Sequence, residues 1–257
     1  MKVSRYSNDQ TPGPQIDRVR HELKFRLLQV VSVDRLTPGM LRINFCGEDL
    51  SDFVSLAPDD HVKIFMPTSS GEYVGRSYTP RGYDSRARTL AIDFALHDAG
   101  PATHWALNAR PGDTLRIRGP KGSSVIASDI RRWLLIGDET ALPAIGRRIE
   151  EATSGTHITS IVSVVGANEH QAFETAADLT IFWAHRPLLS GSEAGALLAI
   201  IKTIDLEAET FVWIAAEAAV ARAIRTHFIR ERNLNPRLLK AAGYWIAGKA
   251  DAHEKFN

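Results

Sequence analysis

The residues best suited to chemistry lie in one short segment, which reads Arg-Ser-Tyr-Thr-Pro-Arg at positions 76–81. On an extended strand alternate side chains share a face, so we expect Arg76 and Tyr78 to point one way and Ser77 and Thr79 the other. A guanidinium fork matches phosphate oxygens, and a tyrosine ring offers a flat surface to another aromatic ring. The segment therefore suits a phosphate-bearing aromatic cofactor, although an ordinary strand with a surface arginine has the same pattern.

A second segment, at residues 97–106, reads as the end of a strand followed by the start of a short helix. Pro101 suits the first helical position, and Gly100 suits the N-cap before it. Free backbone amides at such a start form an anion site, which would suit a pyrophosphate. An ordinary strand-to-helix turn is the alternative for this segment alone, but the two segments in this order are more specific than either one.

A third segment, Leu-Leu-Ile-Gly-Asp-Glu-Thr-Ala-Leu-Pro at 134–143, predicts a strand, a loop and a helix. Ligands of open α/β sheets bind at the carboxyl ends of the strands, where this loop falls. The glycine fingerprint of dinucleotide-binding folds is absent, so Asp138 and Glu139 could equally well cap the helix.

The elements that must position these segments change character halfway along the chain. The first half consists of short alternating strands separated by turns, which predicts a small antiparallel β-barrel. The second half alternates strands with helices, which predicts a parallel sheet covered on both faces. We therefore expect a flexible leader at 1–20, a β-barrel domain at 21–127 and an α/β domain at 128–257.

Bulk properties exclude several functions for this chain of 257 residues. A net charge of +1 gives no strong field for nucleic acid, and Cys46, the only cysteine, rules out an intrachain disulfide or a cysteine-rich metal site. The histidines are scattered, so no metal site is predicted. No apolar run is long enough to cross a membrane, and we expect a soluble cytoplasmic protein, with a monomer as the simplest assembly.

Taken together, the three segments resemble the siderophore-interacting protein family, which comprises FAD-dependent ferric-siderophore reductases of the ferredoxin-reductase-like superfamily. The similarity runs from about His21 to Gly248 and keeps the family order. Further matching stretches are His61–Pro67, Arg110–Asp113, Gly119–Gly122, Trp183–Arg186 and Gly243–Trp245. The resemblance implies an FAD-binding β-barrel followed by an NAD(P)-binding α/β domain.

The resemblance also implies roles for particular residues. Those that would hold the flavin ring and phosphates are Arg76, Ser77, Tyr78 and Thr79, and those that would line the rest of the FAD site are Asp93, His97, Gly100, Ala102 and Thr103. Those that would face the nicotinamide are Asp138, Glu139, Thr140 and Ala141, with Arg186, Glu217 and Arg222 as outer contacts. Ala216 departs from a glycine that the family often has, and its methyl group could crowd a phosphate or ribose.

The function that the resemblance implies is NAD(P)H:ferric-siderophore reduction, in which FAD passes electrons that convert Fe(III) to Fe(II). No general base is required, because the cofactors carry the chemistry. Candidates for binding anionic siderophores are Lys63, Lys249 and Lys255, which could also be ordinary surface lysines. The alternatives are a ferredoxin-type or diaphorase reductase and a non-catalytic siderophore-binding flavoprotein.

The choice between NADH and NADPH stays open at this stage. A 2′-phosphate requires nearby cations. The arginines that could provide them are Arg147, Arg148, Arg186, Arg222 and Arg225.

Overall fold

The structure is a computed structural model, and it describes residues 13–68, 71–97, 100–126, 129–186 and 193–256. Residues 1–12 of the expected leader and residues 98–99 of the second segment lie outside this part of the chain. The chain forms two halves, a curled antiparallel sheet and a mainly parallel sheet flanked by helices.

The described residues of the N-terminal half form nine strands and one α-helix. The strands are β1 (Ile16–Arg20), β2 (Phe25–Thr37), β3 (Met40–Cys46), β4 (Val62–Pro67), β5 (Tyr73–Tyr78), β6 (Pro80–Asp84), β7 (Thr89–Ala95), β8 (Thr114–Arg118) and β9 (Gly122–Ile126), and the helix is α1 (Pro101–Asn108). Seven of the strands form one antiparallel sheet in the order β5-β4-β8-β2-β3-β7-β6, while β1 pairs with β9.

Alternating side chains explain how this sheet makes a core. In β3 and β4 every second residue is apolar and points inward, so Ile43, Phe45 and Ile64 are fully buried. Helix α1 lies against this core, with the ring of Trp105 stacked 6.3 Å from that of Phe45. This packing fixes the start of α1 relative to the sheet.

Two expectations for the N-terminal half need correction. The sheet is a half-barrel rather than a closed barrel, because β5 and β6 form its two ends and no ladder joins them among the described residues. The segment expected to be a flexible leader also contains ordered backbone: β1 pairs antiparallel with β9, with Ile16 opposite Ile126. Its five residues are all exposed, so they gave no hydrophobic signal in the sequence.

The C-terminal half contains six strands and three helices. The strands are β10 (Arg132–Asp138), β11 (His157–Val164), β12 (Asp178–His185), β13 (Phe211–Glu217), β14 (Leu239–Trp245) and β15 (Glu254–Lys255), and the helices are α2 (Leu142–Glu150), α3 (Glu193–Ile201) and α4 (Ala218–Thr226). The sheet order is β12-β11-β10-β13-β14-β15, parallel except for β15.

The strand order places a crevice at the centre of this sheet. From β10 the chain moves outward through β11 to β12, and then returns to add β13 on the opposite side of β10. Where the order reverses, loops leave the carboxyl ends of β10 and β13 in opposite directions, which opens a ligand-binding crevice there. Both strands are almost wholly buried, as expected for a parallel sheet covered on both faces.

Buried polar contacts join the two halves beside this crevice. Arg147 of α2 is 3% exposed, and its guanidinium donates hydrogen bonds to Ser55 Oγ at 2.9 Å and to the carbonyl of Pro80 at 3.0 Å. Arg81 of β6 reaches the other way and pairs with both carboxylate oxygens of Glu150, at 2.7 and 2.6 Å. The junction of β5 and β6 is therefore fixed against α2.

No helix in the described ranges is both long and apolar enough to span a membrane.

Candidate cofactor site

The segment that the sequence singled out lies at the end of β5, an edge strand of the half-barrel. Arg76 and Tyr78 are half-buried on one face, while Ser77 between them is exposed, as the alternation predicted. Thr79 does not share the face of Ser77, because it is only 7% exposed. The reason is that β5 ends at Tyr78 and β6 begins at the next residue but one, so Thr79 occupies the corner between two strands.

The ring of Tyr78 is held in place by the core beneath it. Its centroid lies 4.6 Å from that of Phe94, with the planes tilted by 38°. Burial raises the pKa of the Tyr78 hydroxyl, so the ring stays neutral. Arg76 Nη1 donates a hydrogen bond to the carbonyl of Gly75 at 2.8 Å, which holds the guanidinium close to its own strand. The two side chains present a cation and a flat aromatic ring on one face.

The start of α1 has the form of an anion site. Gly100 is an extended N-cap without a side-chain cap, and Pro101 occupies the first turn. Among the described residues, the nearest atom to a Cβ added to Gly100 would be Thr103 Oγ1, at 4.0 Å, so no described side chain crowds Gly100 at the start of the helix. The hydroxyl of Thr103 accepts a hydrogen bond from the backbone N–H of His97 at 3.2 Å, which ties the end of β7 to the helix.

Asp93 is buried and held by two arginines. It is 4% exposed, and its carboxylate accepts hydrogen bonds from Arg42 at 2.7 and 2.8 Å. Arg81 Nε lies 3.5 Å from the same carboxylate. Asp93 therefore helps to orient the Arg81 side chain that joins the two halves, and its contact with FAD stays a prediction.

Asp138, at the end of β10, is also engaged on every side. It is fully buried, and its Oδ1 accepts hydrogen bonds from the backbone N–H of Thr140 at 2.9 Å and from the hydroxyl of the same residue at 2.5 Å. Its Oδ2 accepts from the N–H of Glu217 and from Trp245 Nε1, each at 2.9 Å. Asp138 therefore ties Thr140, Glu217 and Trp245 together at the crevice, and its contact with the nicotinamide stays a prediction.

Three neighbouring residues also serve the scaffold rather than an exposed surface. Ala141 is fully buried and lies close to Gly137. A Cβ added to Gly137 would lie 2.6 Å from the Cβ of Ala141. Glu217 caps α4, because its Oε2 accepts hydrogen bonds from the first amides of that helix at 2.6 and 3.2 Å. The methyl group of Ala216 packs in the core cluster under the sheet. The cofactor contacts expected for Ala141 and Glu217 stay predictions.

Glu139 lies where the two halves meet. Its Oε1 accepts a hydrogen bond from Arg186 Nη2 at 2.6 Å and lies 3.8 Å from His97 Nδ1. Its Oε2 is buried, and no described residue hydrogen-bonds to it. Burial raises the pKa of Glu139 and the adjacent charge of Asp138 raises it further, while Arg186 opposes both. An acid with one unsatisfied oxygen thus faces the crevice.

Trp245, at the end of β14, lies beside His97 and Asp138 at the crevice. The side chain is half-buried, and its ring centroid lies 6.2 Å from that of His97. The indole N–H is fixed by Asp138, a partner 107 positions away in sequence, so the chain itself gave no local signal for this placement.

The three lysines proposed for substrate binding all lie at the C-terminal end of the chain or contact it. Lys63 Nζ is paired with Asp251 at 2.7 Å, two residues from the exposed Lys249. Lys255 lies on β15 and is exposed. Burial lowers the pKa of His61, and the charge of Lys255 contributes to this lowering, so these two residues are close. Lys63 is therefore partly neutralised, whereas Lys249 and Lys255 form no recorded ion pair among the described residues.

The arginines considered for a 2′-phosphate are mostly committed elsewhere. Arg147 is buried between the halves, and Arg148 stacks over the ring of Trp133 at 4.3 Å. Arg186 pairs with Glu139, and Arg222 pairs with the carboxylate of Glu254 at 2.5 Å. Sequence alone could not separate structural arginines from binding ones, because each partner comes from a distant segment.

The residues present fit a dinucleotide cofactor with an aromatic ring. Arg76, Tyr78 and the open start of α1 offer a cation, a ring surface and backbone amides on the half-barrel. Opposite them, the crevice at the ends of β10 and β13 is of the kind that binds a nucleotide. No described group of three or more His, Cys, Asp or Glu side chains is arranged to hold a metal ion. Fold and site together define a two-part flavoprotein oxidoreductase.

Comparison with known proteins identifies the family. The model of the siderophore-interacting FAD-binding domain matches residues 29–75 and 71–124, and the model of the siderophore-interacting protein matches residues 130–248. The NADPH-dependent ferric-chelate reductase of Escherichia coli (strain K12) is 33% identical over 90% of this chain and 96% of its own. The ferric vibriobactin reductase ViuB of Vibrio cholerae serotype O1 is 25% identical, over 87% of this chain and 90% of its own.

A solved structure gives the same result. The siderophore utilization protein from T. fusca is 33% identical and superposes with a TM-score of 0.86, covering 93% of this chain and 98% of its own. The chain belongs to the siderophore-interacting protein family. Its N-terminal half is the FAD-binding domain of that family, so FAD is its flavin cofactor.

Proposed function

We propose that this protein is an FAD-dependent NAD(P)H:ferric-siderophore reductase, which releases iron by reducing Fe(III) to Fe(II). The observation that carries the proposal is the meeting of two half-sites. A cationic, aromatic and amide-rich face of the half-barrel lies beside the crevice of the parallel sheet, and the two sides approach to 3.8 Å between His97 and Glu139. Residues 21–127 are the FAD-binding domain and residues 128–257 the nicotinamide-binding domain.

In this proposal the half-barrel holds FAD by three groups. Arg76 pairs with phosphate, Tyr78 supports the ring system, and the amides at the start of α1 take the remaining phosphate charge. Once bound, FAD supplies the conversion between the two-electron chemistry of a nicotinamide and the one-electron reduction of iron. The exposed Ser77 and the corner residue Thr79 remain candidates for hydrogen bonds to the ring.

The parallel sheet positions the electron donor in this proposal. Asp138 fixes Trp245, Thr140 and the end of β13 in one arrangement, so that the crevice is rigid before a nicotinamide enters. Arg186, held by Glu139, supplies a cation at its edge. The Escherichia coli relative is named as NADPH-dependent, which supports NADPH as the donor.

The electron acceptor is a ferric chelate or ferric siderophore, as the names of the Escherichia coli and Vibrio cholerae relatives state for those proteins. Lys63, Lys249 and Lys255 would attract an anionic chelate, because they place positive charge at one end of the molecule. A monomer as the functional unit remains part of this proposal. We place the reaction in the cytoplasm, a reducing compartment that suits the unpaired Cys46.

The experiment that tests this function is an anaerobic titration of the purified yellow protein. We expect NADPH to bleach the flavin absorbance, and a ferric siderophore added afterwards to restore it with formation of Fe(II). NADH in a parallel titration measures donor preference. Bleaching that a quinone or a ferredoxin reverses, but ferric siderophores do not, would instead identify a general reductase. A flavin that no nicotinamide bleaches would identify a binding protein.

The role of Lys63 in substrate binding can be tested against a matched control lysine. Lys63→Ala should raise KM for an anionic ferric chelate while leaving reduction of the flavin by NADPH unchanged. Lys202→Ala, an exposed lysine at the end of α3, should alter neither. An unchanged KM in Lys63→Ala would remove this residue from the substrate site.

A further inference from the structure

Glu139 is the one acid in the crevice with an oxygen that the described residues leave unsatisfied. Its side chain is 14% exposed and its Oε2 is fully buried without a hydrogen-bond donor. Leaving such an atom unpaired costs free energy, so folds retain it where it has another use or where it is protonated. Asp93 and Asp138, in contrast, have every oxygen engaged.

The chemistry of the proposed function leaves a proton to be removed. A hydride carries one proton and two electrons into the site. Each ferric ion accepts one electron, so two ferric ions become ferrous for each nicotinamide oxidised, and one proton remains behind. The balanced reaction is NAD(P)H plus two Fe(III) giving NAD(P)⁺, two Fe(II) and one H⁺. Glu139 is largely buried where the two halves meet, whereas His97 beside it is exposed, so the two together could carry this proton to solvent.

We propose that Glu139 accepts this proton and passes it to His97, from which it reaches solvent. The inference rests on the proposed function, since it concerns the proton that ferric reduction leaves behind. Glu139 Oε1 lies 3.8 Å from His97 Nδ1, beyond hydrogen-bond range, so a small movement of either side chain must bring the two together for transfer. The His97 side chain is 47% exposed, which gives the proton access to solvent. The carboxylate gains the proton and becomes a neutral acid, and loss of the proton to the imidazole restores its charge.

The charges around Glu139 come from three elements. Asp138 precedes it on β10, Arg186 follows β12, and His97 follows β7. Burial and Asp138 raise the pKa of Glu139, whereas Arg186 lowers it. A raised pKa brings the carboxyl closer to neutral pH, where it can both accept and release a proton within a turnover.

A purely structural ion pair between Glu139 and Arg186 is the competing account, and a matched set of variants separates the two. Glu139→Gln keeps the size of the side chain and can still accept a hydrogen bond from Arg186, but it cannot take up a proton. Glu207→Gln removes the same type of charge from the pair that Glu207 forms with Arg132, at the opposite end of β10. Glu139→Asp retains an acid on a shorter side chain.

The test uses the FAD-loaded full chain under anaerobic conditions. The enzyme is reduced with NADPH and mixed with ferric EDTA over a range of pH, while flavin absorbance and a pH-indicator dye are recorded. In the wild type we expect the reoxidation rate to rise with pH through the pKa of Glu139 and to be accompanied by proton release. Glu139→Gln should reoxidise about a hundredfold more slowly, the lower end of acid–base effects, with a flat pH profile.

Reoxidation should slow more than reduction by NADPH in Glu139→Gln, because loss of the ion pair with Arg186 acts only on the nicotinamide side. Glu207→Gln should match the wild type throughout. A wild-type rate and pH profile in Glu139→Gln would overturn the inference while leaving the proposed function intact. Failure of ferric EDTA to reoxidise the wild type would overturn the proposed function and this inference with it. If Glu139→Gln does not retain FAD, Glu139→Asp decides: a displaced pH profile supports the proton path, and an unchanged one overturns it.

A readout independent of turnover completes the test. Infrared titration of the carboxyl groups in oxidised holoprotein should show a band from Glu139 with a pKa above the ordinary value for glutamate of about 4.3. Burial also raises the pKa of Asp60, so a second such band is expected in every variant. The difference spectrum between wild type and Glu139→Gln should contain the Glu139 band, and the difference spectrum between wild type and Glu207→Gln should lack it. Identical titrations of wild type and Glu139→Gln would contradict the assignment.

Discussion

Arg147 is the side chain whose loss should do most damage to the join between the two halves. From α2 it donates hydrogen bonds to four acceptors in the half-barrel: Ser55 Oγ at 2.9 Å and three backbone carbonyls, those of Pro80 at 3.0 Å, Ser55 at 3.2 Å and Ala57 at 3.3 Å. A fifth bond, from Nε, reaches Glu151 within the helix at 2.8 Å. The side chain is 3% exposed, so water does not compete for these contacts.

The magnitude follows from burial. Arg147→Met keeps most of the length of the side chain but leaves three carbonyls and a hydroxyl without their donor. Each hydrogen bond from a charged donor is worth about 1.5–3 kcal/mol, and water entering the gap recovers part of the sum. We therefore expect the free energy of unfolding to fall by about 3–5 kcal/mol, the range seen when one partner of a buried charged network is removed.

Urea unfolding of the holoprotein measures this change in the free energy of unfolding. The transition is monitored by circular dichroism and by the rise in flavin fluorescence as FAD dissociates. FAD release should shift to lower urea together with unfolding, because the Pro80 carbonyl adjoins the Tyr78–Thr79 corner. Arg132→Ala is the control, since its pair with Glu207 is exposed and worth at most about 1 kcal/mol. If Arg147→Met cost no more than this control, the account of the interface would be wrong.

Three further variants test other parts of the structure. Arg76→Ala should weaken FAD retention without unfolding the chain, and full flavin occupancy after purification would contradict its role. Glu217→Ala should lower stability by about 1 kcal/mol through loss of the α4 cap, measured by urea unfolding, and no change would remove that role. Asp52 has its pKa lowered to about 2 by hydrogen bonds from Lys24 and Arg26. Because the folded pKa is depressed, its contribution is present above pH about 4 and lost as pH falls towards 2. Asp52→Asn should therefore be less stable than the wild type at neutral pH, and the difference should vanish in acid; a gap independent of pH would refute this.

Local patterns in the sequence predicted much of the architecture, because strands and helices have different periodicities of apolar residues. The alternation in β3 and the apolar run of β10 are examples in which short-range patterning and long-range packing agree. Strand β1 was missed because all of its side chains are exposed, and its only support is a backbone ladder to β9. The closure of the sheet was overestimated. Periodicity shows which face of a strand is buried, but it does not show whether the two end strands of the sheet pair with each other.

The site was harder to predict, because the hydrogen-bond partners of a buried carboxylate often lie far away in sequence. Asp93 accepts a hydrogen bond from Arg42, 51 positions earlier in the chain. Asp138 accepts one from Trp245, 107 positions later. The sequence suggested both as ligand contacts but could not predict these protein partners, which come from distant segments. Gly100 was predictable because a glycine before Pro101 acts locally, within one turn of its own helix.

The most direct test of the central claim is the ratio of products in a single anaerobic reaction. Purified holoprotein is mixed with limiting NADPH and excess ferric siderophore, and Fe(II) is trapped with a coloured ferrous chelator. A flavin that converts two-electron into one-electron chemistry predicts about two Fe(II) for each NADPH consumed. Oxidation of NADPH without formation of Fe(II), or a colourless protein that refuses FAD, would contradict the account.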